Sequence, residues 1–87
     1  VSEAAFAQFT ASEITPRFPD GLTIIDANGQ YRDGRGRLIR EPSKVVLIVF
    51  RDDARKRADL AAIADAYKAR FNQQSVLTTV RSTCATF

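Results

Sequence analysis

The chain has 87 residues, of which 45% are hydrophobic and 26% are charged, and its formal net charge at pH 7 is +3. This length fits one domain and leaves no room for a second hydrophobic core. The composition is that of a globular protein, and no apolar run approaches the ~20 residues that a transmembrane helix needs. We therefore predict a single domain over residues 1–87 without a membrane span.

Catalytic residue types are scarce, because the sequence has no histidine and one cysteine, Cys84. Histidine is the commonest general base and metal ligand, and structural zinc sites combine Cys and His. Cys84 has no disulfide partner within the chain, and we interpret it as a small buried hydrophobic residue. The sequence thus predicts no metal site and no cofactor, and it favours a non-enzyme, with a cofactor-independent enzyme as the alternative.

Residues 2–14 are predicted to form the first helix, with Ser2 as its N-cap. Pro16 ends or restarts this helix. The stretch Pro19–Gly21 predicts a turn, because Pro fixes φ and Gly accepts a positive φ. The apolar side chains that share one helix face are Phe6, Phe9 and Ile14.

A long β-hairpin is predicted next, beginning with the β-branched strand 22–25. Two turns compete to close it, Asn28-Gly29 and the segment 33–36. We favour the segment 33–36 as the reversal, with Asn28-Gly29 forming a bulge. This choice lets Tyr31 pair with residues 38–39 across the hairpin.

The segment 45–50 is the clearest strand, and since it is apolar on both faces we predict that it lies centrally in a covered sheet. Leu47 is accordingly assigned to the core. Asp52 or Asp53 is predicted to cap a second helix that ends near Phe71, with Asn72 as its C-terminal cap. Alternating residues predict a last strand over 75–81.

The predicted order, α-β-β-α-β, indicates an α+β fold. It most resembles a ferredoxin-like two-layer sandwich of βαββαβ order, with two helices on one face of an antiparallel sheet and the first strand upstream of Val1 or missing. A missing strand leaves a sheet edge open to pairing with another chain. We therefore expect a homodimer, formed through an edge strand or through the hairpin.

Arg17, Asp26, Tyr31 and Arg32 are the candidate ligand-binding residues. Two guanidinium groups can hold a small anionic ligand, and the Tyr ring adds an apolar wall, provided that strand and loop bring them together. The favoured interpretation is instead a network of salt bridges and Asp-stabilised turns that fixes the hairpin.

Basic side chains are concentrated in the segment 32–57, which holds nine of them against four acidic ones. A protein that binds nucleic acid presents such a patch, usually with aromatic side chains for stacking. Acidic residues interrupt the run here, so solvated surfaces are the favoured explanation. Nucleic-acid binding through this segment is the second alternative function.

The segment 15–23, with the sequence TPRFPDGLT, is the most distinctive part of the chain. Together with the positions named below, it resembles a family of small bacterial proteins of unknown function, often predicted to be exported or lipid-anchored. The resemblance implies a strand before Val1, a periplasmic or envelope location and, in many members, a secretion or lipobox segment, and it brings no catalytic residues. The other matching positions are Asp26, Gly29-Gln30, Tyr31, Arg32-Asp33, Gly36-Arg37-Leu38, Glu41, Ser43-Lys44-Val45, Ala66-Tyr67-Lys68, Arg70-Phe71 and Gln74-Ser75-Val76-Leu77.

These considerations favour a non-enzymatic binding or structural module of the bacterial cell envelope. The first alternative is a cofactor-independent enzyme or small-ligand carrier with a pocket between sheet and helices.

Overall fold

The computed structural model describes residues 1–73 and 75–86. Two α-helices flank a two-stranded antiparallel sheet, so the predicted α+β class is confirmed. In chain order the elements are helix α1 (Glu3–Phe9), a π-helical turn (Thr10–Ile14), strand β1 (Thr23–Arg32), strand β2 (Leu38–Leu47) and helix α2 (Ala54–Phe71). Within the described residues, neither α-helix has the length and apolar character required to cross a membrane.

Helix α1 begins where the sequence predicts, because the Ser2 hydroxyl accepts a hydrogen bond from the Ala5 N–H at 3.0 Å. The helix then widens, and the Thr15 N–H donates to the carbonyl of Thr10, five residues back, at 2.9 Å. The Thr10 hydroxyl donates to the carbonyl of Phe6 at 2.9 Å, a side-chain bond that competes with regular helix bonding. The predicted helix is thus an α-helix followed by a π-helical turn.

The hairpin reverses where we favoured it, over the segment between Arg32 and Leu38, and Tyr31 pairs with Ile39 as expected. Gly36 in this turn has a φ of 80°, which glycine adopts without steric cost. The predicted bulge at Asn28-Gly29 is wrong. Pairing is one to one along the whole ladder, and Asn28 lies opposite Pro42.

Helix α2 is capped at both ends by the residues that the sequence indicated. Asp53 accepts a hydrogen bond from the Lys56 N–H at 2.7 Å. At the other end Asn72 takes the left-handed conformation, with a φ of 54°, and its N–H donates to the Lys68 carbonyl. Of the two candidate aspartates, Asp53 is therefore the cap.

The core lies between the helices. Phe6, Phe9, Ile14 and Phe18 are buried, all of them from α1 and the segment that follows it. The ring of Phe9 meets the edge of Tyr67 on α2, with 5.4 Å between ring centroids. Such aromatic pairs add to the free energy gained by burial alone.

The ferredoxin-like sandwich is wrong, since the described sheet has two strands and the order α1-β1-β2-α2. The predicted last strand and the predicted covered position of the segment 45–50 are wrong as well, although residues 45–47 do belong to β2. The segment 75–81 contains no strand among its described residues, and its Thr78 and Val80 line a groove with Leu60 of α2 instead of pairing with the sheet. The segment 45–50 is not a covered centre either, because a two-stranded sheet has only edge strands.

Candidate functional site: the outer face of the hairpin

The two faces of the hairpin have different surroundings. Side chains alternate between the faces along each strand, and residues paired in register share a face. One face, the inner face, is turned towards the helices. On it Lys44 binds the carboxylate of Glu3 at 2.5 Å and lies 5.5 Å from the centroid of the Phe6 ring, and Val46 and Ile48 are half-buried. The cover does not extend to the turn, where Leu38 on the same face is 48% exposed.

The opposite side is the outer face. It carries large apolar side chains that are half exposed: Tyr31 at 52%, Ile25 at 48%, Val45 at 47% and Leu47 at 56%. Val49, at 49%, continues the alternation beyond the end of β2. By register the outer face consists of Thr23, Ile25, Ala27, Gly29 and Tyr31 on β1 and Ile39, Glu41, Ser43, Val45 and Leu47 on β2.

The size of this apolar surface marks it as a candidate interaction site. The five half-exposed side chains leave on the order of 500 Å² of apolar area in water, which lies within the range of the largest patches on soluble monomers. Patches of this size are often functional. Glu41 is the one charged residue that the paired strands place on the outer face.

The turn beside the outer face is fixed by Asp33. Its carboxylate accepts hydrogen bonds from the N–H groups of Arg35 and Arg37, each at 2.9 Å. The backbone N–H of Arg37, then that of Arg35 and the Arg37 guanidinium, hold the pKa of the Asp33 carboxyl below its ordinary value. A carboxylate that accepts several N–H bonds is stabilised in its charged form. Asp33 therefore organises the reversal, as Asp does in many turns.

The four residues predicted to bind an anion are not brought together. Arg17 donates to the carboxylate of Glu13 at 2.8 Å and to the Glu13 carbonyl at 2.8 Å. Asp26 forms an ion pair with Lys44 on the inner face, whereas Tyr31 lies on the outer face. Arg32 ends β1, about 20 Å along the strand from Asp26 at the usual rise per residue. Their role in binding a ligand stays a prediction.

Lys44 is a structural residue that sequence reasoning missed. Its ammonium group binds Asp26 on the neighbouring strand and Glu3 on α1, and its side chain is only 17% exposed. The hydrogen bonds to Asp26 and then to Glu3 raise the pKa of Lys44. The opposite charges of Asp26 and Lys44 were a signal, but it became readable only once the register placed them opposite each other.

Several basic side chains of the segment 32–57 are engaged within the protein. Arg57 binds Asp52 through two hydrogen bonds, at 2.7 and 2.6 Å, and this pairing raises the pKa of Arg57 and lowers that of Asp52. Lys56 donates to the Arg17 carbonyl at 2.6 Å. Arg37, Arg40 and Lys44 likewise contact Asp33, Gln30 and Asp26.

A groove lies between α2 and the C-terminal segment. It has a volume of about 340 Å³ and is lined by Arg57, Leu60, Ala61, Ala64, Asp65, Thr78 and Val80. Cys84 is exposed, so its interpretation as a buried residue is wrong. Across residues 1–73 and 75–86, no three side chains of the metal-ligating types come together in a way that suits an ion.

A family model described as "Protein of unknown function (DUF3574)" matches residues 1–87. The chain belongs to the DUF3574 family. The predicted resemblance to a family of unknown function over nearly the whole chain is confirmed at that level. No curated protein and no solved structure matches this DUF3574 chain.

Proposed function

We propose that this DUF3574 domain is a non-catalytic binding or structural module of the bacterial cell envelope that acts as a homodimer. The observation that carries the proposal is the outer face, whose large apolar side chains Ile25, Tyr31, Val45 and Leu47 are about half exposed. A patch of this size on a small protein is often functional, and an association surface is the function that its apolar character favours.

The free energy of covering this surface is large enough to hold two copies together. Covering it on both copies removes on the order of 1,000 Å² from water, which corresponds to roughly 25 kcal/mol before costs. The loss of translational and rotational freedom costs about 4–15 kcal/mol. Ordering of side chains reduces the surplus further, so we expect a dimer that forms at micromolar concentration.

The assignment as a non-catalytic module is supported by residue chemistry. The sequence contains no histidine, the residue most often used as a general base at neutral pH. The charged side chains with shifted pKa values, Lys44, Asp33, Asp52 and Arg57, are engaged with partners that fix the fold. The envelope location is supported by the resemblance of the TPRFPDGLT segment to exported or lipid-anchored proteins.

Light scattering coupled to size-exclusion chromatography tests the homodimer. We expect twice the mass of the chain at micromolar concentration and a shift towards the monomer on dilution. A monomer mass across the whole range contradicts the homodimer. Fractionation of cells that express the natural full-length protein tests the location, and recovery in the cytoplasmic fraction contradicts an envelope role.

The groove beside α2 supports a second candidate function, a carrier of small apolar ligands. Leu60, Ala61, Ala64 and Val80 give it an apolar lining within a volume of about 340 Å³. Anilinonaphthalene sulfonate fluorescence tests this function, with Ala61→Arg as the variant that fills the groove. The outer face also attracts the dye, so Leu47→Lys is the matched control. Emission that Ala61→Arg leaves unchanged contradicts the carrier function.

A further inference from the structure

We infer that two copies meet through their outer faces. The two-fold axis lies between the faces, perpendicular to the strands, and passes near Asn28 and Pro42, so that each strand lies over the same strand of the second copy in the opposite direction. This inference rests on the proposed homodimer, and it adds the surface, the direction and the residues that meet. It is carried by the order of side-chain size along the face, by the area of the face and by the position of its one charge.

The outer face has the same order of side-chain size in both directions from its midpoint. Asn28 pairs with Pro42 at that midpoint. Three positions away on either side lies a row of two large apolar residues. One row is Ile25 with Val45, and the other is Tyr31 with Ile39.

Between the two rows of large residues, the side chains on β1 are small, because Ala27 and Gly29 lie there. A two-fold axis at the midpoint places Ala27 over Gly29 of the second copy. On β1 small residues then meet small ones, so the two β1 strands can approach closely near the axis.

The same axis places each large row over the other kind of row. Ile25 of one copy lies over Tyr31 of the second copy, and Val45 lies over Ile39. Every such contact occurs twice, as a two-fold interface requires. The aromatic ring of Tyr31 against a β-branched side chain is also a favourable pair on sheet surfaces.

The charge on the face finds a partner in this arrangement. Glu41 lies over Ser43 of the second copy, and the Ser43 hydroxyl can donate to the carboxylate. At the end of the face, Leu47 lies over Arg37 of the second copy, whose aliphatic stem can cover it while the guanidinium stays in water. The side chain of Arg37 is 69% exposed, so its stem can cover Leu47 while its guanidinium keeps the contact with Asp33 at 3.3 Å.

The area favours a second copy packed on the face over pairing through a sheet edge. Two outer faces together bury on the order of 1,000 Å², which reaches the lower bound for a specific interface. Pairing of edge strands would lengthen the sheet and leave the outer face in water. The C-terminal segment does not compete for the face, because its Thr78 and Val80 line the groove beside α2.

The first arm of the test compares two valine-to-lysine variants by sedimentation equilibrium. Val45→Lys places a charge on the outer face, whereas Val76→Lys makes the same change outside the hairpin at a residue that is 37% exposed. We expect Val45→Lys to raise the dissociation constant of the dimer about 30-fold or more, as for a central interface residue. We expect Val76→Lys to leave it unchanged. Circular dichroism checks that both variants fold.

The second arm uses crosslinking in a Cys84→Ser background, since the exposed Cys84 would otherwise react. Ala27→Cys lies on the outer face near the axis, and Asn28→Cys lies next to it on the inner face. A short bismaleimide should join two Ala27→Cys chains and should not join two Asn28→Cys chains. This arm decides the question even if Val45→Lys does not fold.

The outcomes separate the two proposals. A wild-type dimer that Val45→Lys dissociates and Ala27→Cys crosslinks supports both. A wild-type dimer that forms no Ala27→Cys crosslink, or that survives in a folded Val45→Lys variant, overturns the outer-face interface and leaves the homodimer standing. A wild-type monomer at every concentration overturns the homodimer itself, and the interface with it.

Discussion

The helical part of the molecule and its hairpin reach stability in different ways. The helices bury Phe6 and Phe9 against α2, with Tyr67 at the edge of both rings. The hairpin contributes no side chain to the buried set of the described residues. An isolated two-stranded hairpin is only marginally stable in water. The helices therefore form a core by themselves, whereas the hairpin depends on contacts with residues outside it.

Those contacts reach the hairpin from one side. Lys44 and its partner Glu3 hold the inner face to α1, and the ring of Phe50 packs against the buried Phe18 at a centroid distance of 5.5 Å. The outer face has apolar side chains of the same kinds but remains half exposed. Composition alone therefore does not distinguish a strand face that its own chain covers from one that its own chain leaves exposed.

The largest expected effect lies in the helical core. Phe9 is 1% exposed and contacts both Tyr67 and Phe71, so Phe9→Ala should lower the free energy of unfolding by about 3–5 kcal/mol. Urea denaturation followed by circular dichroism measures this loss. Leu77→Ala is the control, because Leu77 is 90% exposed and its truncation should change stability by less than about 0.5 kcal/mol. Equal midpoints for the two variants would refute the core assignment.

A second prediction tests whether Leu47 of the hairpin is exposed in the monomer. Leu47 is 56% exposed, so in dilute monomer Leu47→Ala should cost about 1 kcal/mol, well below the cost at a core leucine. At high protein concentration the same variant should lose more, because the proposed dimer would cover this side chain and stabilise the wild type by mass action. Melting at two concentrations measures the difference. A loss that is large and independent of concentration would place Leu47 in the monomer core.

Local features of the sequence were sufficient to predict the helix ends and the reversal. Ser2, Asp53 and Asn72 cap the helices through bonds between residues close in sequence. The turn at Asp33 and Gly36 is likewise determined by its own backbone requirements. Such interactions span only a few positions, and this is why sequence patterns predict them well.

The covering of the sheet could not be predicted in the same way. The apolar segment 45–50 indicates burial on both faces, but it contains no information on which other residues would cover them. The dispersal of the candidate ligand site likewise became clear only when the structure showed a ladder without a bulge at Asn28-Gly29. Asp26 and Tyr31 are separated by an odd number of positions on one regular strand, so their side chains must lie on opposite faces.

A third prediction tests whether the start of α2 is stabilised by its N-cap. Asp53→Ala removes the cap that accepts from the Lys56 N–H, and we expect a loss of about 1 kcal/mol in the free energy of unfolding. Asp52→Ala is the matched control, because its exposed pair with Arg57 contributes less. Chemical denaturation of both variants measures the order. A greater loss for Asp52→Ala would show that the ion pair, and not the cap, holds the start of the helix.

The smallest expected effect is the pH dependence of stability that arises from Asp33 in the hairpin turn. The N–H groups of Arg37 and Arg35 lower the pKa of Asp33 in the folded state, so the folded state binds this proton less readily than the unfolded chain does. The stabilisation is therefore fully present above the ordinary aspartate pKa of about 3.9 and is lost as the pH falls through the lowered value. Carboxyl-carbon NMR of Asp33 measures the pKa directly.

Asp33→Asn separates this titration from that of the other acids. The amide keeps one acceptor oxygen for the backbone N–H groups but does not titrate, so the variant should lose the part of the acid dependence that belongs to Asp33. The wild type and the variant should then converge in stability as the pH falls, since protonated Asp33 also lacks the charge. An Asp33 pKa at or above the ordinary value, or parallel stability curves for the two proteins, would mean that the turn does not depend on this carboxylate.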